Sequence, residues 1–399
     1  MRIALLAMTE PAGAGQPFPR AFLSVAGVSL ARHQLGLALA LDCQRVICLA
    51  RNTSPEIIAL QHVAEDAGLQ FAIAANSRQL VSFISPDDDV VVMGEGLFAE
   101  PASVVPLMSK SGSLVLVQPV EGALAAGYER IDLNRASAGI IRMPGKLVEN
   151  LQGLPPDFDV CSALLRIALQ SGAEMREVPV DVRTGADWRL VRTEAEAVEL
   201  ENEWLRQRFS VGVTSPGRAA ARAGVLALGS SLLHAGNASN ALSAAVVATL
   251  GIGAVLAWFN IVWAAFFLTA IAWVIGESGR LLRSAERRVL GLAPPAIPRS
   301  DLLLWVIDAI FALLVLIDEP RFAEESLISW VAVPAILMLL LTLLPRVVGG
   351  RAASWITDRL LLGILLAIAS IAEQTLPAVQ IISVILIIVG LILPTRSRD

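Results

Sequence analysis

The feature that most limits what this chain can fold into is a change of solvent preference near its middle. Beyond Ala223 the sequence runs through apolar stretches at approximately 241–257, 261–277, 302–317, 327–344, 360–372 and 377–393, almost without charge. Each is near the length that crosses a bilayer once tilt and flanking residues are counted. Up to about Phe209 the charges are instead spread evenly, as in a water-soluble domain. The mean hydropathy of +0.65 therefore averages two unlike halves. The expected organisation is a cytoplasmic α/β domain over 1–210, a juxtamembrane linker with a surface helix over 211–240, and an all-α membrane domain of about six spans over 241–399.

The arginines orient those spans. The connection between the second and third stretches carries Arg280, Arg283, Arg287, Arg288 and Arg299, that between the fourth and fifth carries Arg346, Arg351 and Arg359, and the tail carries Arg396 and Arg398. The alternate connections hold Asp318, Glu319, Arg321, Glu324, Glu325 and Glu373. Positive charge stays on the cytoplasmic side, so both termini are expected in the cytoplasm of a multi-pass protein of a bacterial-type inner membrane.

A net charge of -5 with basic clusters only beside apolar spans fits lipid phosphates and argues against nucleic acid. Cys43, Cys48 and Cys161 form no C-x-x-C pair and fall at apolar positions, which suggests buried thiols rather than zinc ligands or a disulfide framework.

In the first half, short apolar runs such as RIALLAM, RVICLA, QFAIA, DDVVVMGEG and SLVLVQPV alternate with helical patterns. That alternation predicts a layered fold on a largely parallel sheet, with a ligand site beyond the carboxyl ends of the strands. The loop after the first strand holds Gly13 and Gly15, where backbone amides can approach a phosphate, followed by Arg20, whose charge can meet it.

The segment PRAFLSVAGVSL resembles the P-K-A-L-L-x-V-x-G-x-P-L motif of the MobA-like and sugar-nucleotide nucleotidyltransferases, including the inositol-1-phosphate cytidylyltransferases, with Pro19, Ala21, Leu23, Val25, Gly27 and Leu30 in matching places. The resemblance covers about residues 1–205 and implies a nucleotide-diphospho-sugar transferase-like fold. Arg20 stands where the family has a phosphate-binding lysine, a planar fork in place of a compact ammonium. Glu95, in DDDVVVMGEGLFAEP, stands where the family has the aspartate that binds Mg²⁺. In the later W-x-D-V-D segment the chain reads Trp188-Arg189-Leu190-Val191-Arg192, so the completing carboxylate has become Leu190 and the next acid Arg192. The resemblance implies Arg20 and Glu95 as catalytic residues, Gly13, Gly15 and Arg20 as cofactor-binding residues, Glu95 as the Mg²⁺ ligand, and a nucleoside triphosphate, CTP by preference, as the nucleotide. The residues themselves leave Glu95 open as a solvated loop acid, Arg20 as a surface partner of Asp87, Asp88 or Asp89, and Trp188 as packing.

The whole arrangement resembles the fused cytidylyltransferase and CDP-alcohol phosphotransferase membrane proteins, whose D-x-x-D-G-x-x-A-R and G-x-x-x-D-x-x-x-D motifs hold two metal ions. Laid on those motifs, Gly279, Arg283 and Asp308 match, whereas Ile275, Ser278 and Leu304 replace three aspartates. One carboxylate of four cannot hold two divalent ions, so CDP-alcohol phosphotransferase activity is not expected. Asp308 is read either as half of a structural ion pair, with Arg283 as the natural partner, or as part of a retained lipid-phosphate site.

Two functions follow as expectations. One is a non-catalytic relative acting as regulator or scaffold in phospholipid or lipid-headgroup synthesis, a pseudoenzyme whose partners are the membrane and either a second copy of the chain or a lipid-synthesis enzyme. The other is an active membrane-tethered nucleotidyltransferase passing a cytidylyl group to a phospho-alcohol or phospho-sugar.

Overall fold

The protein is seen as a computed structural model that describes residues 1–13, 18–109, 112–154, 158–210, 215–234, 238–289, 299–319, 327–347 and 354–392. It divides into two compact units, one built on Met1–Arg208 and the other on Phe209–Ala285 with Pro294–Asp399.

The first unit is a three-layer α/β structure on a mixed, mostly parallel sheet. Its central strand, β1 (Arg2–Ala7), is an almost continuous apolar run because both faces are covered. Alternate residues of that strand point to opposite cores, Ala4 and Leu6 into one and Ile3 and Leu5 into the other. The strands β4 (Arg45–Leu49) and β5 (Gln70–Ala74) follow in parallel on one side of β1, and β6 (Asp89–Met93) lies parallel on the other. Beyond β6 comes β9 (Arg135–Pro144), antiparallel to both β6 and β8 (Leu114–Pro119), and β10 (Glu174–Glu177) closes the edge. The order is β10-β8-β9-β6-β1-β4-β5.

The helices between these strands start where the sequence supplies caps. Ser29 caps α1 (Leu30–Ala40), Ser54 with Pro55 starts α2 (Pro55–Asp66), Asn76 caps α3 (Ser77–Ser82) and Asp159 caps α6 (Val160–Gln170), each side chain accepting a first-turn amide. Two-stranded pieces flank the sheet. The pair β2 (Ser24–Val25) and β3 (Val28–Ser29) forms a small hairpin, and β7 (Leu97–Ala99) pairs antiparallel with β11 (Trp188–Leu190). The long helix α8 (Glu194–Ser210) ends the unit, where Glu100 accepts from Trp204 Nε1 at 3.2 Å and from Arg208 Nη1 at 2.6 Å.

The second unit is helical. The six apolar stretches each fold as a helix: α10 (Ala238–Trp258), α11 (Val262–Val289), α12 (Arg299–Asp318), α13 (Leu327–Val347), α14 (Arg359–Ile371) and α15 (Thr375–Ile392). Among the described residues three segments, Asn240–Trp258, Val262–Ser284 and Thr375–Ile392, are long and apolar enough to cross a membrane. Phe266 and Phe311 stack in its core with ring centroids 6.4 Å apart. At Gly363 an added Cβ would lie 2.5 Å from Ala270 Cβ, so α14 approaches α11 as closely as small residues permit.

The preceding helix, α9 (Pro216–His234), packs into this unit at its N-terminal half. Its Gly217 amide donates to Asp358 Oδ2 at 2.7 Å, Ala221 is fully buried, and the Ala221 carbonyl accepts from Ser278 Oγ at 3.0 Å.

Candidate functional site

In the first unit, β1 runs out into the loop that begins Met8-Thr9-Glu10, and β6 runs out beside it into Gly94-Glu95-Gly96. Their carboxyl ends are neighbours, so Glu95 meets the β1 loop directly. Glu95 Oε2 accepts from the Thr9 amide at 2.8 Å and Oε1 from the Glu10 amide at 3.0 Å. The Thr9 hydroxyl donates to the same carboxylate at 3.2 Å. Glu95 is 8% exposed, so it is a buried acid rather than a solvated loop acid. Burial pushes its carboxyl up to about 7, held back from a larger rise by the Thr9 amide and the Arg20 charge.

The turn carrying Glu95 is fixed from three sides. The Gly94 amide donates to Gly139 O at 2.7 Å, and the Val191 amide donates to Gly96 O at 2.9 Å. From α1, Gln34 Nε2 donates to both Gly94 O and Leu97 O, at 2.8 and 3.0 Å. Gly96 itself has φ +80°, and a Cβ there would meet Val191 O at 2.4 Å and Arg20 Cδ at 2.8 Å. The Arg20 stem therefore lies across a glycine that has no room for a side chain.

Arg20 pairs with Glu10. The alternative partners are engaged elsewhere: Asp88 takes the N-terminal ammonium at 2.8 Å, and Asp89 takes Arg2 and Arg142. Desolvation lowers the Arg20 guanidinium from its ordinary value, opposed by Glu95. Arg20 and Glu95 line one cavity of about 160 Å³ with Glu10, Tyr128, Glu129, Asp159, Cys161 and Leu190. Four carboxylates thus surround one guanidinium. A polyphosphate without a counter-cation would be repelled by that balance.

The structure brings Arg20 and Glu95 together; Gly13 lies in the same loop with φ +85°, and Gly15 lies outside the described residues. Trp188 is 3% exposed with its Nε1 donating to Ala138 O at 3.0 Å, a packing residue. Leu190 lines the cavity where a second carboxylate was looked for, and Arg192 is held by Glu196 at 2.8 Å. Glu95 offers one carboxylate to a metal ion, with each of its oxygens already accepting a loop amide, and among the described residues no three His, Cys, Asp or Glu side chains gather closely enough to hold a metal ion by themselves.

Sequence reasoning missed Gln34 and Asp159. Gln34 was hidden because a single polar residue in a helical pattern carries no sign of which loop it will reach. Asp159 was legible as a helix cap, before Cys161 and Ser162, whose amides it accepts at 3.1 and 3.2 Å.

In the helical unit, Asp308 is paired with Arg359 and not with Arg283. Arg359 Nε and Nη2 donate to Asp308 Oδ1 and Oδ2, each at 3.0 Å. Sequence proximity favoured Arg283; the fold chooses Arg359 because the N-terminal end of α14 packs against α12. Arg283 instead lies along Gly279, where an added Cβ would be 3.3 Å from its Nη2. Ser278 is 8% exposed and binds backbone, and Leu304 lines a second cavity with Asp308.

A scan against protein-family models matches none, and a search of curated proteins matches none. Among solved structures, the first unit is similar to a UDP-glucose pyrophosphorylase from Acinetobacter baumanii, at 10% identity and TM-score 0.39 over 52% of this chain and 94% of that one. A UDP-glucose pyrophosphorylase complexed with UDP-glucose matches at 11% identity and TM-score 0.39, over 52% and 99%. The inositol-1-phosphate CTP transferase from T. maritima matches at 12% identity and TM-score 0.38, over 51% and 96%.

Proposed function

We propose that the first unit is a nucleotide-binding domain of nucleotidyltransferase type whose metal site has diverged, and that the chain acts as a regulator or scaffold in lipid-headgroup synthesis. The observation that carries this reading is the use made of Glu95. Both oxygens of its carboxylate accept loop amides and hold that loop against the sheet, which leaves Glu95 fewer lone pairs for Mg²⁺ than a free carboxylate has. Leu190 at the cavity wall removes the second ligand. The nucleotide, CTP by the sequence resemblance, would enter as its Mg²⁺ complex, because the cavity is acidic apart from Arg20.

The helical unit carries that domain on a membrane. The outward faces support this, with Trp258 88%, Ile328 82%, Leu339 66% and Leu391 81% exposed, an apolar surface unsuited to water. All six helices, α10 to α15, cross in this reading, the first unit and both termini are cytoplasmic, and the partner is a second copy of the chain or a lipid-synthesis enzyme.

Titration calorimetry of the purified full-length protein with CTP and Mg²⁺, beside a pyrophosphate-release assay with phospho-alcohol acceptors, tests the reading. Binding without pyrophosphate release is expected. The second reading, an active nucleotidyltransferase, is favoured by Arg20 lining the same cavity as Glu95. Pyrophosphate release that disappears in Arg20→Ala would establish it in place of the first.

A further inference from the structure

The helical unit turns between α10 and α11 in three residues, Phe259, Asn260 and Ile261. The turn satisfies its own amides. Those of Phe259, Asn260 and Ile261 donate to Val255 O, Ala257 O and Leu256 O at 3.1, 3.0 and 2.9 Å, with Asn260 in the left-handed region at φ +62°.

The side chains around this turn are aromatic and face outward. Trp258 is 88% exposed, Phe259 69% and Trp263 47%. No Asp, Glu, Lys or Arg occurs between Arg222 and Glu277, so no charge holds the turn in water. The indole N–H groups add an independent constraint. Trp188, Trp204 and Trp330 give theirs to Ala138 O, Glu100 Oε1 and Glu319 O, whereas among the described residues Trp258 and Trp263 have no protein acceptor.

Two surroundings suit these groups badly. In bulk water the rings would form an uncharged apolar patch. In the hydrocarbon core the two indole N–H groups and the Asn260 side chain would lie where no acceptor reaches them. The boundary between the two, where lipid ester carbonyls accept hydrogen bonds beside apolar chains, meets both needs. The length of the adjoining helix agrees. The 21 residues of α10 rise about 31 Å at 1.5 Å per residue, and a hydrocarbon core is about 30 Å thick. We propose that the α10–α11 turn is an aromatic anchor seated in the headgroup layer of a bilayer, with Trp258 and Trp263 donating to lipid ester carbonyls. The proposal rests on the reading that the helical unit lies in a membrane, and it adds where along the chain the membrane surface falls and which side chains hold it there.

The test is fluorine NMR of the full-length protein in lipid bicelles, with fluorotryptophan in place of its eight tryptophans and resonances assigned by Trp258→Phe and Trp263→Phe. Nitroxide lipids carry the spin label either beside the ester carbonyls or at the chain terminus, and a soluble gadolinium chelate reports contact with water. In the wild-type sequence, Trp258 and Trp263 should be broadened several-fold more by the carbonyl-level label than by the terminal one. The buried Trp188 and Trp204 of the first unit should respond to neither. Stronger broadening by the terminal label would place the turn in the hydrocarbon core, and broadening by gadolinium alone would place it in water or beside a partner protein. Either result overturns the proposal. Trp305, 55% exposed on α12, separates the two ways of failing. If it responds to the lipid labels while Trp258 and Trp263 do not, the anchor fails alone. If no tryptophan of the helical unit responds, the membrane reading fails with it.

Discussion

Arg359 grips Asp308 with two parallel hydrogen bonds of 3.0 Å inside the helical unit, at side-chain exposures of 7% and 12%. A pair so buried is held together chiefly by the penalty of separating it. Asp308→Ala or Arg359→Ala alone should each destabilise the protein by roughly 3–5 kcal/mol, because an uncompensated charge remains. Replacing both with leucine should recover most of that loss. Thermal unfolding in detergent of the two single variants and the double variant checks the ordering, and a double variant no better than the singles would contradict it.

Glu95 gives the first unit a pH dependence with a definite sign. Its folded-state carboxyl is raised from 4.5 to about 7, so the folded chain holds a proton that the unfolded chain releases earlier. The resulting stabilisation is fully present below pH 4.5 and is lost as pH rises through 7, a fall of about 3 kcal/mol. Glu95→Gln, which still accepts an amide bond through its carbonyl oxygen, should flatten the profile. Urea denaturation between pH 5 and 8 measures both.

Arg20 and Glu10 should respond in opposite directions. In the proposed nucleotide site the guanidinium would exchange Glu10 for a phosphate when nucleotide enters. Arg20→Ala should weaken CTP binding by about ten- to a hundredfold, whereas Glu10→Gln, which releases the arginine and removes a negative charge, should tighten it several-fold. Calorimetry with Mg²⁺ held constant distinguishes the two, and a common direction of change would place the nucleotide elsewhere.

Two glycines separate backbone conformation from space. Gly68 and Gly96 have nearly the same φ, +82° and +80°, but nothing lies within 4 Å of a Cβ at Gly68, while one at Gly96 collides with Val191 O. Gly68→Ala should destabilise by about 1 kcal/mol, from the left-handed backbone alone. Gly96→Ala should lose on the order of 3 kcal/mol or more, since the backbone oxygen of the β11 segment must also move. Equal losses in denaturant midpoints would show that the β11 segment yields freely.

Cysteine scanning tests the membrane orientation. A cysteine at Ser326 should react with an impermeant reagent added to intact cells, and one at Ser397 should not. The reverse pattern would turn the protein over.

The sequence by itself determined what repeats along the chain. Strands β1, β4, β5, β6 and β8 are apolar runs because both sheet faces are covered, and α10 to α15 are apolar stretches that each fold as a helix. Strand β9 escaped this reading as a strand; RASAGIIRMP is rich in small residues and runs against its neighbours, and no local pattern reports direction. The edge strand β10, EMRE, is mostly exposed and shows no core face. The candidate site divides in the same way. Glu95 was legible because it stands just past the end of an apolar strand, and Arg20 because it follows the glycines of the loop after β1 within a segment that resembles a family motif. That Glu95 is buried beneath the Thr9 and Glu10 amides, that Gln34 holds its turn, and that Asp308 takes Arg359 were decided by tertiary structure. Each is a contact across 51 to 86 residues of chain, and a hydrogen bond or ion pair is set by distance in space, which short-range spacing does not encode.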